Sequence, residues 1–178
     1  MNTKSAKNVT VIILCFSLVA VIYLTSMMSS SSIKLPTFVL AQGEQNFTTS
    51  LTGQEEVPPT NTKATGTSTL ILSSDGMRMK YEVNVKDIDN VTVAQIQQGK
   101  KGESGPVIVT LIRFKALTPT GPVDGLLAEG NITADKLQGP LKGKQISDLT
   151  TLIDDNNAYV NVLTKQNPDG EIRGQISD

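Results

Sequence analysis

The stretch Met77-Arg78-Met79-Lys80-Tyr81-Glu82-Val83-Asn84-Val85-Lys86 places an apolar residue at every odd position and a polar one at every even position. Only an extended chain sends alternate side chains to opposite faces, so this period of two predicts a strand with one dry and one wet face. The dry face requires a core. A slip of one residue would turn Met79, Tyr81, Val83 and Val85 to water and Lys80, Glu82 and Asn84 inward, which pins the register. Gly66 to Ser73 (GTSTLILS) precedes it across Ser74-Asp75-Gly76, and Asp-Gly between two such runs predicts a hairpin.

Further segments of the same kind follow at short intervals, separated by Gly, Pro, Asn and Asp. They are Phe47 to Leu51, Val91 to Gln97, Pro106 to Ile112, Leu126 to Ile132, Ala158 to Thr164 and Glu171 to Ile176. Aromatic residues make up only 4% of the chain and Trp is absent, so the core has to be built from Val, Ile, Leu and Ala, which suits sheets. Ser147 to Asp154 breaks the series: Leu149, Leu152 and Ile153 have helical spacing, and Ser147 is placed to cap. A further turn is expected at Thr133 to Leu137, with Thr133 as its cap. The fold expected is all-β: a Greek-key antiparallel β-sandwich or barrel of about eight strands, with one or two short helices in the late loops.

Residues 1–41 read differently. Lys4 and Lys7 precede the apolar run Val9 to Leu24, and Thr25 to Ser32 is a polar, Ser-rich spacer. At ~1.5 Å per residue the run covers roughly 24 Å, slightly short of a ~30 Å hydrocarbon core. It is expected to be an export signal cleaved near Ala41, or else a retained N-terminal membrane anchor. In both cases residues 42–178 form a single extracytoplasmic domain, secreted or held at the membrane by this segment alone. The sequons at Asn46, Asn90 and Asn131 are glycosylation candidates in that setting.

Composition also excludes chemistry. The chain has no His, and its one Cys, Cys15, lies in the apolar run, so His-based triads, His-zinc sites and a disulfide within the domain are ruled out. The 16 basic and 17 acidic residues are interspersed, giving a net charge of -1 and no basic footprint for nucleic acid.

Several segments stand in an order that resembles the CHRD (chordin-type) family: Leu51-Thr52-Gly53-Gln54-Glu55-Glu56-Val57-Pro58-Pro59, Ala64-Thr65-Gly66-Thr67-Ser68, Gly105-Pro106-Val107-Ile108-Val109 and Leu137-Gln138-Gly139-Pro140-Leu141. Ala158-Tyr159-Val160-Asn161-Val162 and Asn167-Pro168-Asp169-Gly170-Glu171-Ile172-Arg173-Gly174-Gln175 close it. The resemblance runs from about Phe47 to Ile176. It departs from the family at A-H-I-H and N-V-H-T: Gln95, Gln97 and Leu163 stand where the family has histidines, so this is an atypical member. The family's H-I-H strand is similar to the copper strand of Cu/Zn superoxide dismutases, but Gln is a poor ligand for copper or zinc and Leu is none.

Three groups of residues are candidate sites. Alternation sends Gln95 and Gln97 to one face, and Tyr159, Asn161 and Leu163 to one face of a second strand; if neighbours, they form an amide and phenol surface able to bind a sugar or peptide. Glu56, Glu171 and Arg173 are expected to form a structural ion pair of bidentate geometry joining the first and last segments, in preference to an acid/base carboxylate pair. Asp154, Asp155 and Asp169 lie in Asn/Asp-rich turns that offer oxygen ligands to calcium but also follow from turn chemistry alone. The function expected is an exported, non-catalytic, cofactor-free binding or structural module at the cell surface, with an extracellular protein or envelope polymer as partner. The alternative is an atypical or vestigial metal or redox protein on a dismutase-like sandwich.

Overall fold

The computed structural model describes residues 44–115 and 121–177. The expected N-terminal signal or anchor segment and Cys15 lie outside the described residues. Eight antiparallel strands form one sheet: β1 (Gln45–Thr52), β2 (Thr65–Leu72), β3 (Arg78–Asp89), β4 (Val91–Gln98), β5 (Val107–Arg113), β6 (Pro122–Thr133), β7 (Ala158–Thr164) and β8 (Ile172–Gln175). Their hydrogen-bonded order is β5-β4-β7-β8-β1-β2-β3-β6. The sheet rolls until its two edges, β5 and β6, face each other, giving a nearly closed barrel.

The topology is a Greek key, because β3 pairs with β6 instead of with its successor β4, and β7 pairs with β4 instead of with its predecessor β6. The chain leaves β3 for β4 on the other side of the barrel through Asn90 alone, which takes a left-handed conformation at φ 52°. Asn tolerates that region better than most side chains, so it suits the corner.

The inner face is mainly apolar, with Phe47, Leu70, Met79, Val83, Ile96 and Val160 all buried and Thr49 of β1 and Ser68 of β2 as buried polar residues among them. Met79, Tyr81, Val83 and Val85 point inward while Lys80 and Glu82 are exposed and Asn84 is half-exposed, as the alternation requires. Met77 lies before β3 and is exposed. The strand runs on to Asp89, beyond the alternating stretch, because a register shift between Val85 and Ile88 interrupts the period of two. At the preceding turn the Asp75 carboxylate accepts a bond from the Met77 amide at 2.9 Å, and Gly76 takes a φ of 67°.

The open seam is stitched by a side chain. Leu111 has no partner in the β4–β5 register, and its carbonyl accepts a 2.7 Å hydrogen bond from the Tyr81 phenol on β3. The ring reaches β5 across Gly130 of β6, where a Cβ would lie 2.9 Å from the phenol oxygen. Burial raises the Tyr81 pKa. A second unmatched residue, Ile108, receives the Gln138 amide at 2.8 Å, so the chain after β6 covers part of the exposed β5 edge.

Among the described residues one α-helix, α1 (Ile146–Asp154), packs Ile146, Leu149 and Ile153 into the core. It begins before the expected cap. Gln145 is its N-cap, and the Asp148 carboxylate accepts from the Gln145 amide at 2.8 Å, which places Ser147 inside the helix on its exposed side. Thr133 precedes a short 3-10 turn (Ala134–Lys136) without capping it through its side chain.

Candidate functional site

Alternation on β4 and β7 turns Ala94, Ile96, Val160 and Val162 into the core and sends their neighbours outward. The two strands pair in a register that sets Gln95 opposite Asn161 and Gln97 opposite Tyr159, with Leu163 opposite Val93 at the apolar end of the row. The five candidate binding residues therefore share one face. The β7–β8 register then sets Arg173 opposite Asn161, so the amide and phenol group and the arginine, separate in the sequence, belong to one cluster.

This outer face is not wet. Tyr159, Asn161 and Arg173 are at most 3% exposed and Gln95 is 6% exposed. Three segments cover or border them: residues 53–60 after β1, 99–106 after β4, and 165–170 between β7 and β8. The first closes on itself through Thr60 N to Gly53 O at 2.8 Å and is tied to the third by the Thr60 hydroxyl donating to the Gly170 carbonyl at 3.2 Å. The second is held by the Arg173 guanidinium donating to the Lys100 carbonyl at 3.0 Å and by Gln175 Nε2 donating to the Gly99 carbonyl at 3.1 Å. The Gly105 amide donates to the Tyr159 phenol oxygen at 3.2 Å.

The Arg173 guanidinium carbon stands over the Tyr159 ring, 3.4 Å from its centroid, a cation–π contact removed from solvent. The ring is thus occupied by the protein's own guanidinium and is no stacking platform for a ligand. Asn161 Nδ2 donates to Gln97 Oε1 at 3.0 Å and to the Asp169 carbonyl at 3.2 Å.

Glu56, Glu171 and Arg173 come together here, but not as the expected bidentate pair. The one salt bridge among the described residues is Lys101–Glu55, at 2.9 Å on the surface. Arg173 is directed to Lys100 and Tyr159. Glu171 lies just before β8 and accepts hydrogen bonds from Thr164 at 3.0 Å and from Asn167. Burial opposes ionisation of Glu171, but the bonds from Thr62, Asn167 and Thr164 outweigh it and hold its pKa below the usual value. Local hydroxyl and amide donors in the β7–β8 turn satisfy this carboxylate before the arginine can reach it.

Glu56 has no such donors. It is 6% exposed, and its Oε1 is buried with no hydrogen-bond partner. Its carboxylate presses on the backbone of Gly170, where a Cβ would stand 2.4 Å from both oxygens, so no larger residue fits at 170 without displacing it. Burial pushes its pKa up to about 7; the field of Arg173 pulls it down and that of Glu171 adds to the rise. Asn161 Oδ1 is a second buried oxygen without a partner.

Beside these atoms is a recess of about 350 Å³, whose wall includes Glu56, Gln97, Ser104, Asn161, Asp169 and Arg173, with Val57 and Pro58 at the rim. A second, also about 350 Å³, lies on the other side of Glu56 between the Pro58-Pro59 and Asn167-Pro168 turns. Asp154 and Asp155 end α1 and its C-cap, whereas Asp169 sits in the β7–β8 turn, and among the described residues no group of three His, Cys, Asp or Glu converges as a metal site would require. The sequons are placed with Asn46 and Asn131 exposed on β1 and β6 and Asn90 half-buried at the β3–β4 corner. No helix among the described residues is long and apolar enough to cross a membrane.

A barrel of this order, with a loop-covered polar face on β4, β7 and β8, is the scaffold that the opening and closing motifs furnish. The CHRD domain family matches residues 47–176, and the chain belongs to that family. Comparison with curated proteins and with solved structures gave no match. Gln95, Gln97 and Leu163 lie on this same outer face. Sequence reasoning missed that Glu56 borders that face; the signal was Gly170, whose absent side chain makes room for it.

Proposed function

We propose that this chain is an exported, non-catalytic CHRD domain that acts outside the cytoplasm as a binding or structural module at the cell surface, with its contact site at the recess beside β4, β7 and β8. Membership of the CHRD family is consistent with such a module. The observation that carries the reading is the outer-face cluster: polar side chains held rigid under three loops, with two partnerless oxygens in the wall of a recess. Buried polar atoms left unsatisfied cost stability, and proteins retain such sites where a function uses them. The N-terminal lysines and apolar run support export, through a cleaved signal or an anchor. The partner is an extracellular protein or an envelope polymer.

The full chain, immobilised and exposed to envelope polymer and to surface protein fractions, should retain one of them, and Gln97→Ala should release it. Retention of neither would reject the module. Stoichiometric copper or zinc with dismutase activity in the purified protein would replace it by the metal or redox reading.

A further inference from the structure

The recess beside Glu56 carries an unusual demand. Two oxygens in its wall, Glu56 Oε1 and Asn161 Oδ1, belong to residues more than nine-tenths buried and have no partner from the protein, so they call for a donor. The same wall holds donors: Arg173 makes one hydrogen bond to Lys100 and keeps further N–H groups, and Gln97 Nε2 is left over once its Oε1 has accepted from Asn161. An occupant therefore has to give and take protons in bonds made a few ångströms apart.

Charge narrows the choice further. A carboxylate or fully ionised phosphate only accepts, would leave both oxygens unsatisfied, and meets Glu56 and Asp169. An amine only donates and meets the buried guanidinium of Arg173. A hydroxyl is neutral and does both. The rim formed by Val57, which is 41% exposed, and Pro58 offers an apolar edge to the C–H face of a ring. The volume, about 350 Å³, is at the small end of the ~300–1,000 Å³ typical of ligand pockets and suits a single ring or a short oligomer.

We propose that the recess walled by Glu56, Gln97, Asn161 and Arg173 binds a neutral saccharide unit, whose hydroxyls donate to Glu56 and Asn161 and accept from Gln97 and Arg173. This rests on the binding-module reading and names the chemistry of its ligand as that of a neutral polysaccharide. Both oxygens are out of reach of solvent as the loop stands, so an entering ring displaces Val57 and Pro58 at the rim.

The test is a titration of the full chain, followed by amide NMR shifts and calorimetry, with neutral trisaccharides of glucose, mannose and N-acetylglucosamine. A sulfated oligosaccharide and spermidine serve as charged probes. At least one neutral trisaccharide should bind, shifting the amides of Val57, Gln97 and Gly170. Gln97→Ala should weaken it about tenfold, equivalent to about 1.4 kcal/mol. Val57→Ser, at an exposed position that cannot unfold the barrel, should weaken it several-fold, and Asn84→Ala on β3 should leave it unchanged. Binding of only a charged probe overturns the proposal, as does neutral binding indifferent to both recess variants. If no neutral trisaccharide binds while an envelope or protein fraction is still retained through Gln97, the saccharide fails and the module stands; if nothing is retained either, both fall.

Discussion

The two faces of the sheet at β4 and β7 are both largely closed to water but are built on opposite principles. Inward, Ala94, Ile96, Val160 and Val162 meet other hydrocarbon, and shape and area suffice. Outward, Gln95, Asn161, Tyr159 and Arg173 are buried under loops, and each polar atom needs its own partner. The inner face tolerates any apolar residue of similar volume. The outer one depends on particular bonds, such as Arg173 to Lys100 and Gln175 to Gly99, and still leaves Glu56 and Asn161 incompletely satisfied. Burial alone thus does not distinguish a core from a site; a cluster of buried polar groups beside a recess does.

The largest effect should come from putting the wrong chemistry inside. Val83→Asp places an unpaired carboxylate in the barrel, with a loss of about 4 kcal/mol or more, sufficient to unfold the domain in thermal or urea denaturation. Asn84→Asp, one residue along and half-exposed, should stay within about 0.5 kcal/mol; equal losses at the two positions would break the contrast.

Arg173→Ala is the corresponding test outside. It removes the cation over Tyr159 and leaves the Lys100 carbonyl without its donor, a loss of about 2–3 kcal/mol. Because Arg173 lowers the cost of ionising Glu56, that loss should be greater at pH 8 than at pH 5, and Glu56→Gln should remove the difference. A pH-independent loss would mean that the two groups do not sense each other.

A continuous effect should appear in the wild-type protein. The Glu56 pKa is raised from 4.5 to about 7 on folding, so between these values the folded state holds the proton more tightly than the unfolded one. The Glu56 contribution to stability is then highest below pH 4.5, declines as pH rises through that window, and levels off above pH 7. Glu56→Gln should flatten this segment of the pH profile of the thermal midpoint and raise the midpoint at pH 8. A profile identical in the variant would show that Glu56 ionises freely.

A modest effect is expected at the seam. Tyr81→Phe keeps the ring between β3 and β5 and removes only the bond to the Leu111 carbonyl, costing about 1 kcal/mol in denaturation. A loss as large as that from Val83→Asp would mean that the bond, and not the apolar face, holds the barrel closed.

Much of this architecture was legible in the chain. The hairpin at Asp75-Gly76, the eight strands and the helix near Leu149 follow from local rules of period and turn chemistry, and the observed elements lie close to the expected ones. The misses have local physical causes. β3 outran its alternating stretch because a register shift reset the period, and α1 took Gln145 in place of Ser147 as its cap because Asp148 bonds back to the Gln145 amide. The faces of Gln95, Gln97, Tyr159 and Asn161 were also readable, since alternation within a strand fixes them.

What the sequence by itself determined was which side chains share a face, because a strand's period is a property of the backbone and needs no neighbour. Only the tertiary structure decided which faces adjoin, which loops cover them, and hence that Arg173 stands over Tyr159 while Glu56 is left without a hydrogen-bond donor at Oε1. Those outcomes depend on strand order and on contacts between residues more than a hundred positions apart, such as Glu56 with Gly170, which no local pattern encodes.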